Sequence, residues 1–293
     1  MSIASILIHK EMQFNNLRNK YADFAGCAST INLCQIKNNL IVILATQRTG
    51  SQLLCQDLGS ALRLEYSPDE SFIPLLQGVS AGNIAPGEVE HKIINTIEKF
   101  ADSEFTIIKF MIDYVGWLGY FCADREDALY LEYSKLSALF LEQLKTIDNQ
   151  KFSCLIRLDR KNKLKQAVSR FINTMGLPTH IETNEQAIDF ENQLSRKLAR
   201  LPNYQLMIID QLRIILGQIC LLDDCLSSFN GFKDSYSLEL ESDLIEKRDT
   251  YLFSLFESSG FSLQPISRRL VPTSGKLSKS IFDKLLEVVS PSS

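Results

Sequence analysis

The chain has 293 residues, 45% hydrophobic and 23% charged, a soluble globular balance that can bury a large core without disulfides or a structural metal. Its 31 Lys and Arg against 35 Asp and Glu give a formal charge of −4, so it lacks the positive field of a duplex nucleic-acid binder and must hold any anion with local cations. The 17 Phe and 9 Tyr, beside only 13 Gly and 8 Pro, exclude collagen-like, coiled-coil and disordered readings.

Residues 1–38 read as an N-terminal extension, partly helical. Met1 to Ile8 is weakly apolar, but His9, Lys10 and Glu11 follow at once, which does not make a signal peptide. From residue 39, short β-branched runs alternate with helical periodicity, the pattern of an α/β sheet covered by helices. The expected strands are Asn39 to Ala45, Glu104 to Met111, Phe152 to Leu158 and Ser235 to Leu240. Leu54, Leu58 and Leu62 mark a helix after the first strand, and Leu164, Val168, Phe171 and Ile172 mark another after the third. Two further helices are expected between Asn184 and Phe229, separated at Pro202. The longest apolar stretch, Leu206 to Leu222, is interrupted by Asp210 and Arg213 and is not expected to span a membrane. With no Gly/Ser-rich or Pro-rich linker, 39–293 reads as one domain.

The seven cysteines (Cys27, Cys34, Cys55, Cys122, Cys154, Cys220 and Cys225) are odd in number and scattered, without a CxxC pair. That usage predicts a reducing, cytoplasmic setting.

The most informative segment is Ala45-Thr46-Gln47-Arg48-Thr49-Gly50-Ser51-Gln52-Leu53-Leu54. A buried strand enters a tight polar turn and then a helix, which aims backbone N–H groups and the positive helix end at whatever lies above. A nucleoside-triphosphatase loop would need glycine at Ala45 and lysine at Ser51, so metal-bound triphosphate chemistry is disfavoured. A plain capped strand-to-helix connection is the bland alternative. After the third strand comes a second polar corner, Asp159-Arg160-Lys161-Asn162-Lys163-Leu164-Lys165-Gln166-Ala167-Val168-Ser169-Arg170. Arg160 stands at the mouth of the sheet and Ser169 lies about two helical turns on from Asn162. Lys161, Lys163 and Lys165 read as a solvated basic face.

Together, ATQRTGSQLL and Arg160…QAVS169 resemble the two donor-binding motifs of sulfotransferases that use 3′-phosphoadenosine 5′-phosphosulfate (PAPS). More narrowly, the chain is similar to the bacterial trehalose 2-sulfotransferase type, in which a (S/T)QR(S/T)GS turn replaces the lysine-bearing loop. The likeness runs in order from about residue 39 to 172. It implies a P-loop-like three-layer sandwich, with a central, mostly parallel sheet flanked by helices and carrying helical insertions. It also implies that Arg48, Thr49, Gly50 and Ser51 hold the 5′-phosphosulfate, with Gln47 and Gln52 beside it, and that Arg160 and Ser169 hold the 3′-phosphate. Tyr66-Ser67-Pro68-Asp69-Glu70-Ser71-Phe72 is similar to the family's P-x-E-[FY]-F segment, which implies Glu70 as the general base; Asp69 and Glu65 are its local competitors, and a surface acidic loop is the bland alternative. Lys109, a charge inside the apolar strand TIIKFM, matches a family lysine, which implies that it stabilises the transferred sulfuryl or leaving phosphate; a structural ion pair is the alternative. Met111 is kept from that motif, whereas Ile107 and Ile112 depart from it.

The acceptor implied is a hydroxyl of a carbohydrate or glycoconjugate; Ser67, where that type carries an acidic sugar contact, weakens trehalose in particular. Tyr114, Trp117 and Tyr120 read as core or rim aromatics, with Trp117 able to stack on a pyranose. Arg268-Arg269 and Thr273-Ser274-Gly275-Lys276 loosely resemble a late donor-covering loop. His9, His91 and His180 are far apart and no zinc-spaced cysteine pair or GxSxG elbow occurs, so no metal is expected. The rival readings are a non-catalytic nucleotide-binding or scaffold protein with a sulfotransferase fold, and a small-molecule kinase, disfavoured by the missing lysine and magnesium ligands. No nucleic-acid partner is expected, and a homodimer is left open.

Overall fold

The residues described by a computed structural model of the chain are 3–31, 39–64, 72–101, 104–145, 152–177, 184–229, 232, 234–247, 250–257, 259 and 261–266. The chain opens with helix α1 (Ile3–Lys20) and a 3-10 turn (Ala22–Phe24). This extension is built into the main core. Phe14 is 4% exposed, and its ring meets Trp117 and Tyr133 edge-on at centroid distances of 4.8 and 5.0 Å. The Gly26 and Ala28 N–H groups donate to the Tyr120 and Phe121 carbonyls, at 3.1 and 2.8 Å.

Strand β1 (Asn39–Ala45) is buried along its whole length, as expected of a β-branched run with a strand on either side and helices over both faces. Helices α2 (Ser51–Ala61), α3 (Ile73–Ser80) and α4 (Pro86–Glu98) lead to β2 (Phe105–Met111). Helices α5 (Ile112–Cys122), α6 (Arg125–Tyr130) and α7 (Tyr133–Lys145) lead to β3 (Ser153–Asp159). Helices α8 (Lys163–Thr174), α9 (Asn184–Leu198) and α10 (Tyr204–Ser227) lead to β4 (Asp234–Glu239). A π-helical segment (Leu240–Glu246) and α11 (Tyr251–Phe256) follow. The four expected strands all form, β1 with the expected ends and the other three with an end or both ends shifted by one residue.

Every described strand pairing is parallel, in the order β2-β1-β3-β4. Parallel neighbours need long crossovers, which is where the helices go. The connection from β1 moves outward to β2, the next passes back over β1 to β3, and the last continues outward to β4. Right-handed crossovers therefore put α2–α4 on one face and the later helices on the other. In agreement, α5 packs on α7, and α10 packs on α1, α5, α7 and α8. The reversal falls between β1 and β3, and at such a switch point the crevice beyond the strand carboxyl ends is where α/β sheets take ligands.

The helices after β3 carry a smaller second core around Phe171, Phe190, Leu194, Ile208 and Ile215. Helix α10 is long and apolar enough to cross a membrane by length and composition, and 33% of its most apolar stretch is buried in the fold. Its Asp210 and Arg213 form an ion pair at 2.8 Å, one helical turn apart. The cysteines at 27, 55, 122, 154, 220 and 225 are free thiols, and burial pushes Cys27 up to about 11 and Cys225 to about 12.

Candidate functional site

In the sheet register Ala45 lies between Met111 of β2 and Leu158 of β3, so the turn at 46–50 leaves the centre of the carboxyl edge. Thr46 and Thr49 are buried, and the Thr49 hydroxyl donates to the Thr46 carbonyl at 2.9 Å, closing the turn. Reversal takes two left-handed residues, Arg48 (φ 66°) and Gly50 (φ 88°). Glycine adopts that conformation freely; arginine does so at a cost of about 1–2 kcal/mol. Gly50 is also the N-cap of α2 and supplies no side-chain cap. The first N–H groups of α2 thus face the crevice with the positive end of the helix behind them.

Helix α8 braces this turn. The Arg48 Nε donates to Ser169 Oγ at 3.1 Å, which joins the two polar corners directly. The fully buried Gln166 amide donates to Thr46 Oγ1 at 2.9 Å and to the Gln47 carbonyl at 2.6 Å. Arg170 donates to Gln47 Oε1 and, at 2.6 Å, to Gln211 Oε1. Burial lowers the pKa of Arg170 and the Asp113 carboxylate works the other way, but a guanidinium stays charged at neutral pH. Sequence reasoning gave Gln166 and Arg170 no role. Their spacing held the signal, since residues 166, 169 and 170 fall at i, i+3 and i+4, one face of a helix.

Lys109, 2% exposed within β2, donates from Nζ to Gln52 Oε1 at 3.0 Å and so sits against the first turn of α2. The structure thereby gathers Gln47, Arg48, Thr49, Gly50, Ser51, Gln52, Lys109 and Ser169 at one rim. Arg160 stands at the carboxyl end of β3, 4% exposed, with its Nε on Glu241 Oε1 at 3.0 Å; the other Glu241 oxygen accepts the Lys161 N–H at 3.0 Å. Burial lowers the Arg160 pKa, and Glu241 opposes that shift. Lys163 is paired with Asp159, while Lys161 and Lys165 are exposed. Glu70, together with Glu65 and Asp69, lies outside the described residues, as do residues 267–293 with Arg268, Arg269 and the 273–276 segment.

Comparisons with protein-family models, curated proteins and solved structures return no match. The chemistry of the site therefore stands on its own residues. The Arg48 and Arg170 guanidinium groups, the buried Lys109 ammonium, the N-terminus of α2 and the Ser169 hydroxyl are joined around the turn, which suits a ligand with several anionic groups. Among the described residues, no group of His, Cys, Asp or Glu is arranged to hold a metal ion.

The turn also locks onto the segment after β4. A Cβ added at Gly50 would lie 2.4 Å from Leu240 Cδ1, whereas at Gly82, also left-handed at φ 73°, it would meet nothing within 4 Å. Gly82→Ala should therefore cost only the backbone term, about 1 kcal/mol, and Gly50→Ala about 2–3 kcal/mol because Leu240 must move as well. Equal costs in urea denaturation would show that the Leu240 contact has no energetic weight.

Proposed function

We propose that this chain is a PAPS-dependent sulfotransferase that moves a sulfuryl group to a hydroxyl of a carbohydrate or glycoconjugate, on a sheet of the P-loop-like three-layer kind. The observation that carries the reading is the Arg48–Ser169 hydrogen bond, which couples two polar corners 121 residues apart in sequence. A nucleotide with anionic groups at its 5′ and 3′ positions needs two such corners within its own length. On this reading Arg48 and the backbone of Thr49, Gly50 and Ser51 hold the 5′-phosphosulfate, flanked by Gln47 and Gln52. Ser169 and Arg160 hold the 3′-phosphate. The acceptor oxygen attacks sulfur, the bond from sulfur to the phosphate oxygen breaks, and the hydroxyl proton passes to the Glu70 carboxylate. Lys109 and Arg48 offset the negative charge that builds on the departing phosphate. PAPS enters as a second substrate and the reading uses no metal. A cytoplasmic setting fits the free cysteines, and no nucleic-acid partner is involved.

Adenosine 3′,5′-bisphosphate should raise the melting temperature, and ATP with magnesium should not; the reverse result would favour a kinase. Glu70→Gln should abolish transfer from radiolabelled PAPS while keeping product-nucleotide binding, and unchanged turnover would remove Glu70 from the mechanism.

The ion pair of Arg160 with Glu241 supports the second reading, a non-catalytic scaffold, because the carboxylate occupies the guanidinium assigned to the 3′-phosphate. Glu241→Gln keeps an oxygen acceptor but removes the competing charge. If Arg160 serves the nucleotide, that variant should bind adenosine 3′,5′-bisphosphate more tightly, and Arg160→Ala should weaken binding far more than Lys163→Ala. No change in either would leave Arg160 a structural residue.

A further inference from the structure

A cleft of about 130 Å³ lies between α1, α5, α7 and α10, lined by Glu11, Gln13, Phe14, Asp113, Trp117 and Tyr133 among others. Its Asp113 corner lies at the sheet edge from which the 46–50 turn also leaves. Asp113 is two residues past Met111, and Met111 is the register partner of Ala45, so the cleft and the turn leave neighbouring strands at the same edge of the sheet. Arg170, which holds Gln47 of the turn, also feels the Asp113 charge.

The lining has two kinds of surface. Phe14, Trp117 and Tyr133 pack edge to face; Phe14 and Tyr133 are buried and Arg18 lies over the Phe14 ring, so half-buried Trp117 offers the aromatic surface. Against it stand two oriented carboxylates. Asp113 accepts from the Gln218 amide at 2.7 and 2.6 Å, and Glu11 accepts the Tyr133 N–H at 3.4 Å. Gln218 is fully buried, and its Oε1 has no partner among the described residues, an open acceptor on the amide that positions Asp113. Arg18 and Glu132 act with opposite sign on Glu11, and Arg170 acts on Asp113. Both carboxylates already accept protein N–H groups and keep lone pairs to spare, which suits a ligand that donates hydroxyls. A closed cavity of about 150 Å³ accepts an unsubstituted benzene ring; this cleft is slightly smaller but open to solvent, so it can seat one face of a six-membered ring whose remaining hydroxyls stay in water.

We propose that this cleft is the acceptor site and takes a single neutral, polyhydroxylated ring of pyranose size, with its C–H face on Trp117 and its hydroxyls donating to Glu11 and Asp113. Its role as acceptor site rests on the sulfotransferase reading; sugar binding in the cleft does not. The inference ties the N-terminal extension to function, because α1 supplies one wall of the cleft.

Trp117 is the only tryptophan in the chain, so its fluorescence reports directly on the cleft. Titration of the full chain with methyl α-glucopyranoside, with and without adenosine 3′,5′-bisphosphate, should give a saturable change in emission that tetramethylammonium does not produce. Glu11→Gln and Asp113→Asn are near-isosteric and each should weaken the sugar response at least tenfold, and Glu11→Gln should also leave the melting-temperature rise from the nucleotide intact. No saturable sugar response under either condition, or saturation by tetramethylammonium instead, would overturn the proposal. So would variants that melt like the parent and keep its sugar affinity. A sugar response without nucleotide stabilisation would remove the donor reading and leave the cleft a sugar site. Nucleotide stabilisation without a sugar response would remove the cleft alone.

Discussion

Arg48→Gly is expected to keep the folding stability within about 1 kcal/mol of the parent while weakening adenosine 3′,5′-bisphosphate binding at least tenfold. Three terms set the stability. Relief of the left-handed conformation at φ 66° returns about 1–2 kcal/mol. The added freedom of glycine in the unfolded chain costs about 0.5–1 kcal/mol, and loss of the 3.1 Å bond to Ser169 about 0.5–1.5 kcal/mol. These nearly cancel, so a change in binding cannot be ascribed to unfolding. For the nucleotide the balance is one-sided, because a hydrogen bond to a charged partner is worth about 1.5–3 kcal/mol and about 1.4 kcal/mol is a factor of ten. Urea denaturation and isothermal titration of the same preparation give both numbers. An unaltered affinity would mean that the strained arginine serves only to pin the turn to α8, and the proposed anion site would lose its main cation.

Gly119→Ala is expected to be the most damaging small substitution in the helical layers, at about 3 kcal/mol or more. An added Cβ would lie 1.9 Å from the Leu136 carbonyl oxygen and 2.5 Å from its carbon. Those are backbone atoms of α7, which no rotamer change can move, so α5 and α7 must separate and loosen Leu118, Tyr120, Leu136 and Phe140, all fully buried. Gly116→Ala makes a useful contrast. There the obstacle is the Tyr133 ring at 2.6 Å, a side chain held by its hydroxyl on the Ile112 carbonyl at 3.0 Å, and the cost should be smaller. For a chain of this size each kcal/mol is worth roughly 2–4 °C, so Gly119→Ala should lower the melting temperature on the order of 6–12 °C. A loss below about 1 kcal/mol would mean that the two helices are not in close contact at this point. Because α5 also carries Asp113 and Trp117, the sugar response should fall in this variant even under conditions where it remains folded.

Much of the architecture was legible because its signals are short. The run NLIVILA has to be covered on both faces, and Leu54, Leu58 and Leu62 have to face one way on a helix. The break at Pro202 separates α9 from α10 as expected, since proline cannot continue an interior turn. The polar turn was readable for the same reason, as a strand end, one glycine and a helix start within ten residues. Arg160 shows where such reading stops. Its position at a strand mouth is local information, but its partner Glu241 lies 81 residues further on, in a π-helical segment that no periodicity announced. Helix α1 illustrates the same limit, because whether a weakly patterned helix is an appendage or a wall of the core depends on what it meets, here Trp117, Tyr120 and Tyr133 against Phe14.

By itself the sequence determined the elements and the two polar corners, since hydrophobic periodicity, β-branching and turn chemistry act over a few residues and need no partner. Only the tertiary structure decided the order β2-β1-β3-β4, the meeting of Arg48 with Ser169, the pairing of Arg160 with Glu241 and the cleft between α1 and α5. Each of these joins segments distant along the chain, and such contacts are selected by sheet register and by which helix faces must be buried together.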